Sequence, residues 1–173
     1  MRWLVDGYNV IRRSPELASE ERSSLEAGRQ ALCRLLAAVA QASGDQFIVV
    51  FDGSGAGSAA SGGVGVRVLF SSARERADQV LARLAAQGGA VVSNDREVRR
   101  AAERAGAIPI STDDFLGRVA LAQPMDPGTE TLDKDAEGEP ARRPKKGNPR
   151  RLSKKDRAAS RALNRLAPGD RRR

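Results

Sequence analysis

The sequence predicts an α/β fold: a mostly parallel sheet of about five strands with helices on both faces, followed by a charged tail. Three observations carry this. Short apolar strand patterns alternate with longer helical patterns through the first 122 residues. At least one strand, FIVVF (47–51), is a continuous apolar, β-branched run, as strands buried on both faces are. The charge changes character after residue 122. Residues 1–122 hold 15 Arg/Lys against 14 Asp/Glu, whereas 141–173 hold 14 against 2, so the last segment alone carries more positive charge than the overall +8.

Taken in order, RWLV is a strand that ends at Asp6. A helix is predicted from about Ser19 to Ser43, with Leu25, Leu32, Leu35, Leu36 and Val39 near helical spacing. FIVVF follows as the second strand, and DGSGAGSAASGG (52–63) is a low-complexity loop. The GAGSAA within it matches a dinucleotide-binding pattern, but that loop must open a helix and here the chain continues as a strand. VGVRVLF (64–70) is the third strand. Ser72 and Glu75 read as a capping box for a helix running to about Gln87, stopped by Gly88 and Gly89. AVVS (90–93) is the fourth strand; Asn94 and Glu97 read as caps for a helix that ends at Gly106. AIPI (107–110) is the fifth, and Thr112 reads as the cap of a last helix to about Ala122.

The predicted domains are a near-neutral globular unit over 1–122, an acidic linker over 123–140 and a basic tail over 141–173. The tail is too polar and too interrupted by Pro and Gly to fold alone, so it is expected to be disordered, or helical when bound to RNA. Ser153 and Asp156 form a capping pair there, with Leu163 and Leu166 at helical spacing. The residues expected to meet phosphate are Arg142, Arg143, Lys145, Lys146, Arg150, Arg151, Lys154, Lys155, Arg157 and Arg161. A nucleic-acid phosphate backbone is one candidate partner, and a solvated extension is the competing reading.

Absences narrow the chemistry. The chain has no histidine, which removes imidazole acid–base work, Ser-His and Cys-His catalysis and His-ligated zinc. Its single cysteine, Cys33, forms no intrachain disulfide and no thiolate cluster. No apolar run approaches the roughly 20 residues of a membrane span, and the N-terminus enters a strand directly without a signal-peptide pattern. A soluble, cytoplasmic protein is expected, and any metal must sit among oxygens.

A parallel sheet gathers the C-terminal ends of its strands at one edge, where ligands bind. Asp6, Asp52, Asp95 and the Asp113–Asp114 pair follow four of the five predicted strands. Asp113 and Asp114, just after Thr112, are explained by a helix N-terminus alone. On the helix after the third strand, Asp78 shares a stripe with Leu81 and Ala85, so an inward, costly position is expected for it. Converging carboxylates repel, and a divalent cation reverses this; oxygen ligands with open positions suit Mg²⁺ or Mn²⁺. Hydrolysis at phosphorus is within reach of such a site without histidine.

VDGYNV (5–10), VVFDG (49–53), RERADQVL (74–81) and VVSNDREVR (91–99), in that order, resemble the four motif blocks of the NYN domain, in particular its YacP-like branch among the PIN-like nucleases. The resemblance covers residues 1 to about 122. It implies a three-layer PIN-like sandwich and RNA cleavage with Mg²⁺ or Mn²⁺. Position by position, it implies Asp6, Asp78 and Asp95 as metal-site acids and Asp52 as a further ligand or water-orienting carboxylate. Asn9 is implied to position a ligand or order the loop. Some relatives carry two adjacent acids in the helix block; here Ala77 precedes Asp78, which leaves one metal or two open. The function expected is a metal-dependent endoribonuclease. The alternatives are a non-catalytic RNA- or ribosome-binding protein with the same fold and, more weakly, a phosphatase on the same site.

Overall fold

A computed structural model describes residues 1–53, 62–72, 74–122 and 153–166. The chain runs β1 (Arg2–Asp6), α1 (Gly7–Arg13), α2 (Pro15–Ser23), α3 (Leu25–Ser43), β2 (Gln46–Phe51), β3 (Val66–Phe70), α4 (Ala77–Ala85), β4 (Ala90–Val92), α5 (Arg96–Arg104), β5 (Ile108–Ile110), α6 (Thr112–Ala122) and α7 (Lys154–Arg165). The five strands form one all-parallel sheet in the order β3-β2-β1-β4-β5, so the α/β class and strand count expected from the sequence are found.

Successive strand residues point to opposite faces, and the sheet is buried on both. Trp3, Val5, Phe47, Val49 and Val92 face one core with α1, α2, α3 and α6; Leu4, Val50 and Val91 face the other with α4 and α5. The larger core is anchored by Trp3, whose ring lies 6.1 Å from Phe47 and 5.7 Å from Phe115.

Several helix starts differ from expectation. The chain after β1 does not turn and wait for Ser19: it coils at once into α1, capped by Asp6 itself. The single helix expected from Ser19 to Ser43 is two. Ser14 caps α2, with Pro15 in its first turn, and Ser24 caps α3 by accepting from the Ala27 N–H at 3.0 Å. The two lie so close that a Cβ on Gly28 would meet Glu21 Cβ at 2.9 Å. The start of α4 matters most for the site. Ser72 and Glu75 pair with each other as an isolated antiparallel bridge, Ser72 Oγ accepting from the Arg74 and Glu75 N–H groups, so α4 begins only at Ala77. Likewise, the cap of α5 is Asp95 rather than Asn94, and at the start of α6 it is Ser111 Oγ, not Thr112, that accepts from the Asp114 N–H.

The tail also differs. Its helix is present, capped by Ser153 as its sequence suggests, with Ser153 Oγ accepting from the Asp156 N–H at 3.1 Å. It packs against the body of the domain. Leu166 and Ala162 are buried in the Trp3 core, and the helix packs on the edge strand β5 and on α6. An apolar stripe gains more by covering a sheet edge than by remaining in water. Among the described residues no helix is long and apolar enough to cross a membrane.

Candidate active site

In the order β3-β2-β1-β4-β5 the winding reverses between β1 and β4, and the crevice outside their C-terminal ends is where open α/β sheets take ligands. Asp6 ends β1 on one side of that crevice, and Ser93-Asn94-Asp95 follow β4 on the other.

Asp6 is tied by both oxygens. Oδ1 accepts from the Asn9 N–H at 3.3 Å, and Oδ2 accepts from Ser93 Oγ at 3.0 Å. Burial raises its pKa above the usual carboxylate value; the bonds from Ser93 and Asn9 resist this, the negative charge of Asp95 adds to it, and Arg12 opposes it. Ser93 Oγ also accepts from the Asp95 N–H at 3.1 Å. Asp95 caps α5 through Oδ1, which accepts from the N–H groups of Glu97 (2.6 Å) and Val98 (3.4 Å). Asp52, exposed beyond β2, accepts from Ser71 Oγ at 2.6 Å on Oδ1.

Asp78 is not on the apolar face. Because α4 starts at Ala77, Asp78 sits in its first turn, exposed, with Oδ1 accepting from the Gln79 N–H at 2.9 Å. The costly inward position expected of it does not exist: Val80, Leu81 and Ala85 are buried, while Asp78, ahead of them where the helix begins, is open to solvent. It still reaches the same cleft.

Asn9 orders loops. Its Oδ1 accepts from the Asn94 N–H at 3.0 Å and from Thr112 Oγ1 at 2.7 Å, joining α1 to the turns after β4 and β5. Asn94 extends the tie, accepting from the Thr112 N–H at 3.0 Å and donating to Asp113 at 3.0 Å. Asp113 pairs with Arg13 at 2.6 Å, and Asp114 accepts from Ser111, which fits helix-end roles for both.

A cleft of about 680 Å³ is lined by Asp6, Asp52, Asp78 and Asp95 together with Asn9, Asn94 and Tyr8. Three arginines that the sequence reading leaves out share it: Arg12 and Arg13 from α1, and Arg76 from the residue before α4. Once α1 is recognised, the signal is plain, because Arg12 and Arg13 lie three and four residues after Asn9 on one helix face. Of the basic tail residues, Arg142, Arg143, Lys145, Lys146, Arg150 and Arg151 lie outside the described residues. Lys154, Lys155, Arg157 and Arg161 are exposed on α7 and do not line the cleft; Lys155 pairs with Glu103 at 2.8 Å.

Among the described residues, no three His, Cys, Asp or Glu side chains stand close enough to make a ready metal cluster. Mg²⁺ does not require one: it keeps several waters and is commonly held by one or two carboxylates with substrate phosphate. The described contacts of Asp52, Asp78 and Asp95 engage only Oδ1 of each, which leaves Oδ2 as the donor type that such an ion takes. The donor set fits the group.

Residues 3–163 match the family model described as YacP-like NYN domain. Crystal structures of Rae1 (YacP) from Bacillus subtilis are similar to this chain at 29% identity, covering 69% of it and 74% of the other chain. Their TM-scores are 0.61 and, for a point mutant of the same protein, 0.60. No curated protein matches. The shared architecture is the PIN-like fold. On the family match across nearly its whole length, this chain belongs to the YacP-like NYN domain family, a branch of the PIN-like nucleases.

Proposed function

We propose that this protein is a metal-dependent endoribonuclease acting on single-stranded RNA in the cleft between β1 and β4. The observation that carries the reading is the composition of that cleft: four aspartates, from the ends of β1 and β2 and the starts of α4 and α5, with three arginines around them. Carboxylates alone would repel a polyanion, and arginines alone would hold it without cutting. Together they suit a phosphodiester whose backbone is gripped by guanidinium groups and whose phosphorus is presented to the acidic floor.

Mg²⁺ or Mn²⁺ would be held by Asp6, Asp78 and Asp95, with Asp52 as a further ligand or a carboxylate that orients water. Bound there, the ion would supply charge neutralisation and an acidified water. The chain's own residues do the rest. Arg12, Arg13 and Arg76 hold phosphate oxygens. Asn9 and Ser93 fix the carboxylates. In the reaction a water oxygen bonds to phosphorus, the phosphorus–oxygen bond to the leaving ribose oxygen breaks, the water's proton passes to a cleft carboxylate or solvent, and the leaving oxygen takes up a proton from solvent to become a ribose hydroxyl. Exposed Lys154, Lys155, Arg157 and Arg161 would contact RNA, free or within a ribosome, outside the cleft.

The absence of a gathered three-ligand cluster among the described residues favours one other reading, an RNA-binding protein that retained the fold without the chemistry. Incubation with labelled linear and circular RNA, with and without Mg²⁺ or Mn²⁺, separates the two. Cleavage of the circle that stops with EDTA supports the endonuclease. Binding without cleavage at any metal concentration supports the alternative.

A further inference from the structure

A second cavity, of about 430 Å³, lies behind the Tyr8 wall of the cleft. Tyr8 lines the cleft; Phe51, in edge-to-face contact with it at 5.1 Å, lines the second cavity. Arg29 binds the partition together. Its Nε donates to Tyr8 Oη at 2.9 Å, and its guanidinium lies over the rings of Tyr8, Phe51 and Phe70 at 5.5, 5.5 and 5.1 Å. Phe51 is fully buried, but Phe70, at the end of the edge strand β3, is only partly so. On the rim, the exposed side chains of Glu26 and Gln30 meet, Gln30 Nε2 donating to Glu26 Oε1 at 3.1 Å.

The chemistry is distinct from that of the cleft. The floor is aromatic with the Arg29 guanidinium held against it, and the rim offers an amide, a carboxylate and the exposed guanidinium of Arg34, which together donate and accept. Phosphate has no use for the aromatic floor, and a purely apolar ligand none for the rim. An unpaired nucleobase uses both: its face stacks on aromatic rings and guanidinium planes, and its edge is read by hydrogen bonds. The volume is within the range of small-ligand sites, roughly 300–1,000 Å³.

We propose that this cavity is a base-binding subsite, taking one unpaired nucleotide of the RNA whose backbone lies in the neighbouring cleft. The inference rests on the RNA reading of that cleft, while its test is independent of cleavage. Affinity is measured by fluorescence anisotropy in EDTA, using the full chain and single-stranded RNA heptamers, each with an abasic residue at one position. Phe70→Leu keeps apolar volume and removes the ring. It should weaken binding of the intact heptamer by about fivefold or more, as loss of one base stack does. One abasic position should weaken wild type similarly, with no further loss in Phe70→Leu. In wild type, bound RNA should also slow iodoacetamide alkylation of Cys33, the chain's one cysteine, which lines the cavity. Unchanged alkylation with RNA bound, or losses from Phe70→Leu that simply add to every abasic loss, overturns the subsite and leaves the nuclease reading intact. Coupled losses in a protein that never cleaves RNA uphold the subsite and overturn the nuclease. No RNA binding at all overturns the subsite.

Discussion

Ser93 Oγ donates to Asp6 Oδ2 at 3.0 Å while accepting the Asp95 N–H at 3.1 Å, so one hydroxyl fixes the carboxylate of β1 and the start of α5 together. Ser93 is fully buried, and its bond is one of the forces opposing the upward shift of the Asp6 pKa. Ser93→Ala removes the donor. The carboxyl should then stay protonated to higher pH, and the acid limb of the pH–rate profile should move upward. Stability at neutral pH should fall by about 1.5–3 kcal/mol, as for a buried bond to a charged group. An unmoved acid limb would show that Ser93 does not tune Asp6.

Asp95 has two duties that substitution can separate. Asparagine caps a helix about as well as aspartate, so Asp95→Asn should leave thermal stability nearly unchanged while cleavage falls by about a hundredfold or more. Asp95→Ala should lose the same activity and a further ~1 kcal/mol of stability through the cap. Wild-type cleavage in Asp95→Asn would leave Asp95 with the capping role alone.

Which of these residues the sequence reveals depends on how locally each is determined. Asp6 and Asp95 are legible because an apolar run ending in a carboxylate has its end fixed by the sheet, and the parallel class follows from the alternation. Asp78 falls on the wrong face in the sequence pattern for a specific reason. Ser72 and Glu75 carry the signature of a capping box, yet their backbone groups pair with each other across a bridge and the helix starts only at Ala77; Val80, Leu81 and Ala85 bury the face their spacing predicts, but Asp78 falls in the exposed first turn instead of within the packed body of the helix. Arg12 and Arg13 escape a local reading because Asp6-Gly7 looks like a turn; only the contact of Val10 and Ile11 with the core makes Gly7–Arg13 helical. The helix of the tail is legible from Ser153 and its leucine spacing. Its destination is not, since nothing local in an amphipathic stripe says what will cover it.

With Asp78 exposed in the first turn of α4, Asp78→Asn should change stability by no more than about 0.5 kcal/mol. Mn²⁺ affinity, followed by titration calorimetry, should fall clearly. Unchanged affinity would remove Asp78 from the ligand set.

Asp45 offers a pH test of stability away from the cleft. Its buried carboxylate receives the Met1 ammonium, Trp3 Nε1 at 2.9 Å and Arg165 at 3.4 Å. Burial pushes its pKa up, but the bonds from the ammonium and from Trp3, with the charge of Arg165, outweigh it and hold the pKa below the ordinary carboxylate value. The unfolded chain therefore takes up this proton first as pH falls. The stabilisation is complete above the ordinary carboxylate value and is lost as pH drops through the lower folded one. Asp45→Asn should flatten the acid side of the Tm–pH curve below about pH 4 and lower Tm at neutral pH, because breaking a buried pair costs about 3–5 kcal/mol. An unaltered acid slope would mean that other carboxylates govern it.

Removing everything after Ala122 tests whether α7 belongs to the folded body or to an RNA-binding tail. The sequence reading expects such a truncation to be harmless to the fold. The structure expects a cost, since Leu166 and Ala162 are buried and Arg165 reaches Asp45. Burying one leucine side chain contributes about 1.5–3 kcal/mol, and loss of α7 also uncovers the β5 edge. The truncated protein should melt several degrees lower, and Leu166→Ala in the full chain should reproduce most of the drop at about 2–5 kcal/mol. Cleavage of short RNA at saturating substrate should persist at temperatures where the truncated form is folded, because the cleft carboxylates all precede residue 122. The salt dependence of RNA affinity reports separately on the tail's bases, each lost phosphate contact taking roughly 0.7 from the log–log slope for single strands. A flattened slope with lowered Tm assigns the segment both duties. A flattened slope with unchanged Tm restores the detached-tail reading, and an unchanged slope with lowered Tm leaves α7 as a purely structural cover for β5.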